Sequence, residues 1–196
     1  MKAAQKVLKL FLSGPKKGRM HTREVARMAK ISPGTASKAL NSLEKEGLLE
    51  SSPDGPLRKY SLATGEKGAI RLAQFQVESF LRIPIEKRDA IAEFISALPE
   101  QPVFSVLFGS TAKGGARKDS DIDILLVFNG SGIDTARAAE KAEARTGTTI
   151  NLVQCSYRDF LTELKTGNDK VIASAVNTGI PLSNHLSYNL LLLSDK

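Results

Sequence analysis

The sequence is short of cysteine and of long hydrophobic runs. Cys155 is the only cysteine among 196 residues, which excludes an internal disulfide and any cysteine-rich zinc site. No apolar run approaches the ~18 residues of a membrane-spanning helix; the leucine run at 190–193 is far shorter. The basic N-terminus carries its apolar residues at helical spacing, without the hydrophobic region and cleavage site of a signal peptide. We therefore expect a cytoplasmic protein.

The positive charge is concentrated in the first third of the chain. Residues 1–62 hold 13 Lys and Arg against 5 Asp and Glu, a balance of +8. The remaining residues hold 15 against 16, a balance of −1. Such asymmetry favours a nucleic-acid-binding module joined to a module with a different task. A solvated basic face is the alternative that charge alone leaves open.

The basic region is predicted to form three short helices followed by a hairpin. Apolar residues recur at helical spacing, polar caps precede the helices, and a Ser-Pro-Asp-Gly-Pro turn separates two short strands. The predicted elements are a helix over 4–13, a helix capped by Thr22, a helix from Ser32-Pro33 to Gly47, and strands over 48–51 and 57–62.

This order of elements resembles a winged helix-turn-helix domain, and residues 37–49 resemble the recognition helix and the start of the wing in many prokaryotic regulators. The resemblance implies binding to double-stranded DNA. A recognition helix meets base edges in the major groove, and basic wing residues meet backbone phosphates. Use of the domain only for protein contacts or dimerisation is the alternative. The predicted DNA-binding residues are Thr35, Ser37, Lys38 and Asn41 on the third helix and Arg58 and Lys59 on the wing.

Two amphipathic helices, over 68–81 and 85–98, are predicted to connect this region to the rest. The first has apolar residues on more than one face, so it either docks the two domains or pairs across a homodimer. Sequence leaves both arrangements open, and a homodimer is our expectation because winged-helix proteins often read two half-sites. The predicted division is 1–64 winged helix, 65–98 connector, 99–183 second domain and 184–196 tail.

The second domain carries a glycine-serine turn and a carboxylate pair. A buried strand is predicted over 103–108, and Gly109-Ser110 follows at once. Glycine permits a sharp turn and the close approach of a phosphate, and Ser110 adds a hydroxyl and an N–H. Asp121 and Asp123 are two residues apart at the start of the next strand, so their carboxylates share one face and suit Mg²⁺. Lys113 and Arg117 lie between and would neutralise triphosphate charge.

The spacing from Gly109 to Asp123 resembles that of the minimal nucleotidyltransferases of the DNA polymerase β superfamily, over about residues 86–183. The resemblance implies an α+β fold with a small mixed sheet, a Mg²⁺ cofactor and a nucleoside triphosphate substrate. It assigns catalysis and metal binding to Asp121 and Asp123. At the position where active members carry a third carboxylate, this sequence has Asn151. An amide can bind a cation weakly through its carbonyl, but it cannot act as a base.

Further helices are predicted over 134–145, from Ser156 to Lys165 and from an Asn168 cap to Asn177, with a strand over 148–154. Cys155 and His185 show no nucleophile-base arrangement, so we interpret them as a core and a tail residue. A helix is expected to carry Asp159 and Glu163 away from the metal.

The leading hypothesis is a DNA-binding protein that transfers a nucleoside monophosphate from Mg–NTP to an acceptor hydroxyl. The alternative is a transcription regulator whose degenerate transferase domain only senses a nucleotide or binds a partner. A third hypothesis, a module that works beside a small helical protein, also follows from the resemblance.

Overall fold

The computed structural model describes residues 3–13, 18–115, 120–130 and 132–194. These residues form two compact units. The first contains the residues up to Phe75 together with Asn189 and those after it, and the second runs from Gln76 to Tyr188. Helices and strands are mixed in both units, as predicted.

The first unit is a winged helix. Its elements are α1 (Ala3–Ser13), β1 (Met20–His21), α2 (Thr22–Ala29), α3 (Pro33–Lys45), β2 (Leu49–Asp54) and β3 (Leu57–Leu62). The strands form an antiparallel sheet in the order β1-β3-β2. Ser32 caps α3 as predicted, because its Oγ accepts a hydrogen bond from the Thr35 amide at 3.1 Å.

The buried residues of α1, α2 and α3 meet those of the hairpin in one hydrophobic core. Leu8, Val25, Leu40 and Leu43 are almost fully buried in it. Helical spacing therefore placed these four residues on the inner faces correctly, whereas Met28 of α2 is 39% exposed. The strand β1 was not predicted, since its two residues make no period of their own and pair with β3, about 40 residues away.

Helix α4 (Gly65–Leu81) begins three residues before the predicted start. Ala69 and Leu72 are buried in the core of the first unit, whereas Ile70, Val77 and Leu81 are exposed. The helix thus has apolar residues on more than one face, as the sequence indicated. The expected homodimer stays a prediction.

The second unit is built on a four-stranded sheet. Its elements are α5 (Ile85–Ala97), β4 (Phe104–Phe108), α6 (Gly109–Ala112), β5 (Ile122–Phe128), α7 (Ala136–Thr146), β6 (Ile150–Ser156), α8 (Tyr157–Thr166), α9 (Lys170–Thr178) and β7 (Ile180–Pro181). The last helix, α10 (His185–Ser194), begins in this unit, and its residues from Asn189 onward belong to the first unit. The strand order is β6-β5-β4-β7, with β5 and β6 parallel and the other pairs antiparallel. Strand β5 is central, and its residues 124–127 are completely buried.

Residues 185–194, within the predicted tail, form a helix on which Tyr188, Leu192 and Leu193 are buried. Within the second unit, the Tyr188 ring packs edge-on against Phe104, with the ring centroids 5.4 Å apart. Within the first unit, Leu193 joins the winged-helix core. The first unit therefore needs residues far beyond the predicted boundary at 64.

Helix α5, which belongs to the predicted connector, lies in the second unit. Ala90, Ile91 and Phe94 of α5 are buried in the core of the second unit, together with residues of β5 and α7. Two predicted caps also move by one residue. His21, not Thr22, precedes α2, and Asp169, not Asn168, caps α9 by accepting hydrogen bonds from the amides of residues 171 and 172.

Within the described ranges, every helix is too short or too polar to cross a bilayer.

The position of Leu193 predicts that α10 stabilises the winged helix. Leu193 is 4% exposed, so Leu193→Ala should lower the free energy of unfolding by about 2–5 kcal/mol, because the change leaves a cavity. Leu190, which is 37% exposed on the same helix, is the matched control, and Leu190→Ala should cost less than about 1 kcal/mol. Urea denaturation of both variants measures the difference. Equal effects would show that α10 does not belong to the core.

Candidate functional site

The two aspartates lie at one edge of the second sheet. Asp123 is the second residue of the central strand β5 and is paired in register with Phe108 of β4 and Asn151 of β6. Asp121 precedes the strand, whose first amide, that of Ile122, donates to the Thr149 carbonyl at 2.9 Å. Since β4 is antiparallel to β5, its final residue meets the start of β5. The topology therefore brings the glycine-serine turn to the carboxylates.

Asn151 connects the two carboxylates. Its side-chain amide nitrogen donates to Asp121 Oδ2 at 3.3 Å and to Asp123 Oδ1 at 3.2 Å. The three predicted metal-site residues therefore lie together. Among the described residues, no group of three or more His, Cys, Asp or Glu side chains is placed to hold a metal ion. The donor set is thus two carboxylates and one neutral amide.

Gly109 and Asp123 are in very close contact. A Cβ added at Gly109 would lie only 1.9 Å from Asp123 Oδ2, and the Gly109 φ is +70°. Both facts require glycine, because any other residue would be strained at this φ and would displace the carboxylate. The sequence predicted a sharp turn at Gly109 that a phosphate could approach closely. It did not predict that Gly109 would contact the Asp123 carboxylate.

Two further side chains hold the backbone next to Asp121. The Thr111 hydroxyl donates to the Asp121 carbonyl at 3.1 Å, and the Lys87 ammonium donates to the Ser120 carbonyl. Both side chains are buried. Sequence reasoning missed both. A signal existed for Lys87, since it shares the apolar face of α5 with Ala90, Ile91 and Phe94.

The other predicted nucleotide-binding residues are accessible. Ser110 and Lys113 are exposed, and Lys113 ends the single helical turn α6. A helix this short has little dipole, so Ser110 offers its hydroxyl and amide and not a helix-terminus charge. The Gly115 amide donates to the Ser110 carbonyl at 3.1 Å, which folds the chain back after the turn. Arg117 lies outside the described residues.

The remaining candidate groups take no part in this site. Asp159 and Ser156 form the cap of α8, and Glu163 accepts from the amide of Asp169, as expected for residues carried away by a helix. Cys155 is half-buried, and burial raises its pKa to about 11, so the thiol is neutral at physiological pH. Burial lowers the pKa of His185, the first residue of α10.

The predicted recognition helix α3 presents a polar outer face. Thr35, Lys38 and Asn41 are exposed and Ser37 is half-buried. Thr35 also belongs to the cap, because its Oγ1 lies 2.8 Å from Ser32 Oγ. Asn41 Oδ1 accepts a hydrogen bond from the Tyr60 hydroxyl at 3.2 Å, which connects α3 to the wing strand β3.

Both predicted wing cations have acidic partners inside their own domain. Arg58 donates to Glu44 Oε1 at 2.9 Å and to Ser51 Oγ, and its guanidinium lies 5.6 Å from the Tyr60 ring centroid. Lys59 Nζ lies 2.6 Å from Asp54 Oδ2. The wing is therefore electrostatically paired, which sequence reasoning did not predict.

His21 completes this cluster on the wing. Its Nε2 lies 3.0 Å from Asp54 Oδ2, and its Nδ1 lies 3.1 Å from the Arg58 carbonyl. The hydrogen bond from Lys59, together with attraction to Lys59 and His21, lowers the pKa of Asp54 below its usual value. Asp54 thus contacts both the Lys59 ammonium and the His21 ring.

Family models match both halves of the chain. A winged helix-turn-helix DNA-binding model matches residues 5–50, and a nucleotidyltransferase domain model matches residues 88–178. The second match includes the glycine-serine turn, both aspartates and Asn151.

Similarity to solved structures is weak. Lactococcus lactis ZitR, as the C30AH42A mutant, is 23% identical with a TM-score of 0.29, over 50% of this chain and 72% of that one. The archaeal chromatin protein TrmBL2 is 17% identical with a TM-score of 0.26, over 87% and 77%. Likenesses of this strength do not bear on function. No curated protein matches the chain. From the family models and the folds, the chain joins a winged helix-turn-helix DNA-binding domain to a nucleotidyltransferase domain.

Proposed function

We propose that the second domain binds a nucleoside triphosphate with Mg²⁺ and transfers its nucleoside monophosphate to an acceptor hydroxyl, while the first domain binds duplex DNA. The observation that carries the nucleotide proposal is the contact between Gly109 and Asp123. It brings the turn suited to phosphate directly beside the carboxylates suited to Mg²⁺.

The residues of the site fit Mg²⁺ bound together with a nucleotide. Mg²⁺ is commonly held by one or two protein carboxylates, with water and substrate phosphates completing its octahedron. Asp121 and Asp123 supply two such groups. If the side-chain amide of Asn151 rotates so that its oxygen faces the site, that oxygen is a third and weaker ligand. Bound Mg²⁺ would supply positive charge to the phosphates at the reacting centre.

The chain's own residues have separable roles in this proposal. Gly109 keeps the turn free of a side chain, and the exposed Ser110 offers a hydroxyl and an amide to a phosphate. Lys113 offers a cation at the end of the same turn. During transfer, the acceptor oxygen bonds to the α-phosphorus, the bond to the β-phosphate oxygen breaks, pyrophosphate leaves, and the hydroxyl proton passes to a base.

Asn151 favours a second candidate function, a regulator that binds the nucleotide without fast transfer. Its side-chain amide donates hydrogen bonds to both aspartates, and it cannot act as the base that takes the proton from the acceptor hydroxyl. A domain of this kind would couple nucleotide binding to DNA binding instead of releasing product. Incubation with Mg²⁺ and NTP labelled at the α-phosphate separates the two functions, because only transfer leaves covalent label on protein, RNA or another acceptor.

Substitution at Gly109 tests the nucleotide site. Gly109→Ala should abolish most Mg²⁺-dependent NTP binding, because the new methyl group displaces the Asp123 carboxylate. Gly114→Ala is the matched control: its φ is +69°, but nothing lies within 4 Å of the Cβ that it would gain, so it carries only the backbone strain of about 1–2 kcal/mol. Calorimetric titration compares them, with Asp121→Asn/Asp123→Asn as the zero-binding reference. Equal binding by the two glycine variants would contradict the proposed site.

Restoring a carboxylate at 151 tests the choice between enzyme and regulator. If the protein is a weakened transferase, Asn151→Asp should raise the transfer rate by about 10²–10⁴-fold, the usual contribution of a general base. Asn129→Asp, at an exposed position after β5, adds the same charge and should not change the rate. A robust wild-type transfer rate that Asn151→Asp does not change would show that residue 151 does not occupy the position of the third carboxylate.

The paired wing cations give a prediction about DNA affinity. Asp54→Asn should release His21 and Lys59 for phosphate, so duplex affinity should rise and the slope of log K against log salt should steepen by about 0.9 for each phosphate gained. Glu50→Gln removes the same charge from the hairpin, where the Glu50 side chain accepts only from the Ser61 hydroxyl among the described contacts. Fluorescence anisotropy at several salt concentrations compares them. Weaker binding by Asp54→Asn would show that the ion pairs hold the wing in its DNA-binding form.

A further inference from the structure

Lys87 occupies an unusual position for a lysine. It is the third residue of α5 and is only 3% exposed, on the face that α5 buries with Ala90, Ile91 and Phe94. Burial of an ammonium group is costly, because the group loses its hydration. A positive charge is also unfavourable in the first turn of a helix, where the backbone dipole is positive. Stability alone would favour an apolar residue at this position.

The ammonium group of Lys87 donates to the carbonyl of Ser120, the residue immediately before Asp121. The next carbonyl, that of Asp121, accepts from the buried Thr111 hydroxyl at 3.1 Å. Side chains from two different helices therefore fix two successive carbonyls of one short segment.

Asp121 depends on such support more than Asp123 does. Asp123 lies within β5 and is paired in register on both sides, with β4 and with β6. Asp121 lies before the first residue of β5, so no strand pairing described for β5 includes it. The carboxylate of Asp121 must nevertheless stay beside that of Asp123 to share a cation with it.

We propose that Lys87 is a positioning residue for the nucleotide site, acting through the Ser120 carbonyl to keep the Asp121 carboxylate in place for Mg²⁺ and nucleotide. Thr111 has the same role at the next carbonyl. This inference rests on the proposed function. It implies that loss of the Lys87 ammonium group lowers the affinity of the site for Mg²⁺ and nucleotide without lowering the stability of the domain.

Lys87→Met tests the proposal, since methionine keeps a similar length without the charge. The affinity for Mg²⁺ with each of the four nucleoside triphosphates should fall about 10- to 100-fold, the usual effect of losing a group that orients a metal ligand. The melting temperature should stay the same or rise, because a buried charge at a helix N-terminus is removed. Arg88→Met is the matched control. It removes the same charge from the next residue, whose Nε donates to the Ile83 carbonyl and not to the aspartate segment.

Hydrogen exchange supplies a readout that does not depend on nucleotide binding. The Ile122 amide, which donates to the Thr149 carbonyl, should exchange faster in Lys87→Met and in Thr111→Val than in the wild type. The amide of Leu126, deep in β5, should be unchanged. Thr111→Ser keeps the hydroxyl and should restore slow exchange and nucleotide affinity.

Two results would overturn the proposal. One is unchanged exchange at Ile122 in Lys87→Met. The other is a lower melting temperature with unchanged nucleotide affinity, which would make Lys87 a residue of the fold alone. If the wild type itself binds no nucleotide, the proposed function fails, and the exchange rates still decide whether Lys87 holds the Asp121 segment.

Discussion

The close approach of Gly109 to Asp123 is the constraint on which the second domain's site depends. The end of β4 and the start of β5 must meet at the sheet edge, and the chain must turn away at once with a positive φ. Glycine alone allows both the turn and the absence of a Cβ beside the carboxylate. The glycine-serine turn and the carboxylate pair are therefore parts of one structure. A change in either would move the other, because a Cβ at Gly109 would overlap the Asp123 carboxylate.

Charge pairing sets the state of both candidate binding surfaces. In the second domain two carboxylates lie side by side with the neutral amide of Asn151 between them, which leaves their negative charge available to a cation. On the wing the reverse holds, since Glu44 and Asp54 already accept from Arg58 and Lys59. The +8 balance of residues 1–62 already counts both acids, so the excess positive charge lies outside the Arg58–Glu44 and Lys59–Asp54 pairs. Surface ion pairs are weak, so phosphate can compete for these cations at little cost.

Local signals predicted most of the fold. Helical spacing and the Ser32-Pro33 cap placed α3, and the resemblance from Gly109 to Asp123 predicted a glycine turn and a carboxylate pair but not the close contact between them. The failures share a physical cause, which is dependence on distant parts of the chain. Strand β1 exists by pairing with β3, and α10 is stable because its apolar face finds cores made by residues far earlier. The ion pairs of Arg58 with Glu44 and of Lys59 with Asp54 were likewise not predicted, because pairs formed between different helices and strands produce no periodic pattern of residues.

The distribution of costly features argues that the second domain is built around a ligand. A module that served only for partner contact would gain stability from an apolar residue in place of the buried Lys87 and from separating the Asp121 and Asp123 charges. Each of these features is unfavourable for folding and each lies at the same edge of the sheet. In the proposed function, the glycine turn, the two carboxylates and their supports would bind the nucleotide, whereas Asn151 leaves transfer without a proton acceptor at the expected position. The proposed binding and the proposed transfer are thus separable: binding would need only the turn and the two carboxylates with their supports, and transfer would in addition need a base from the acceptor or another group.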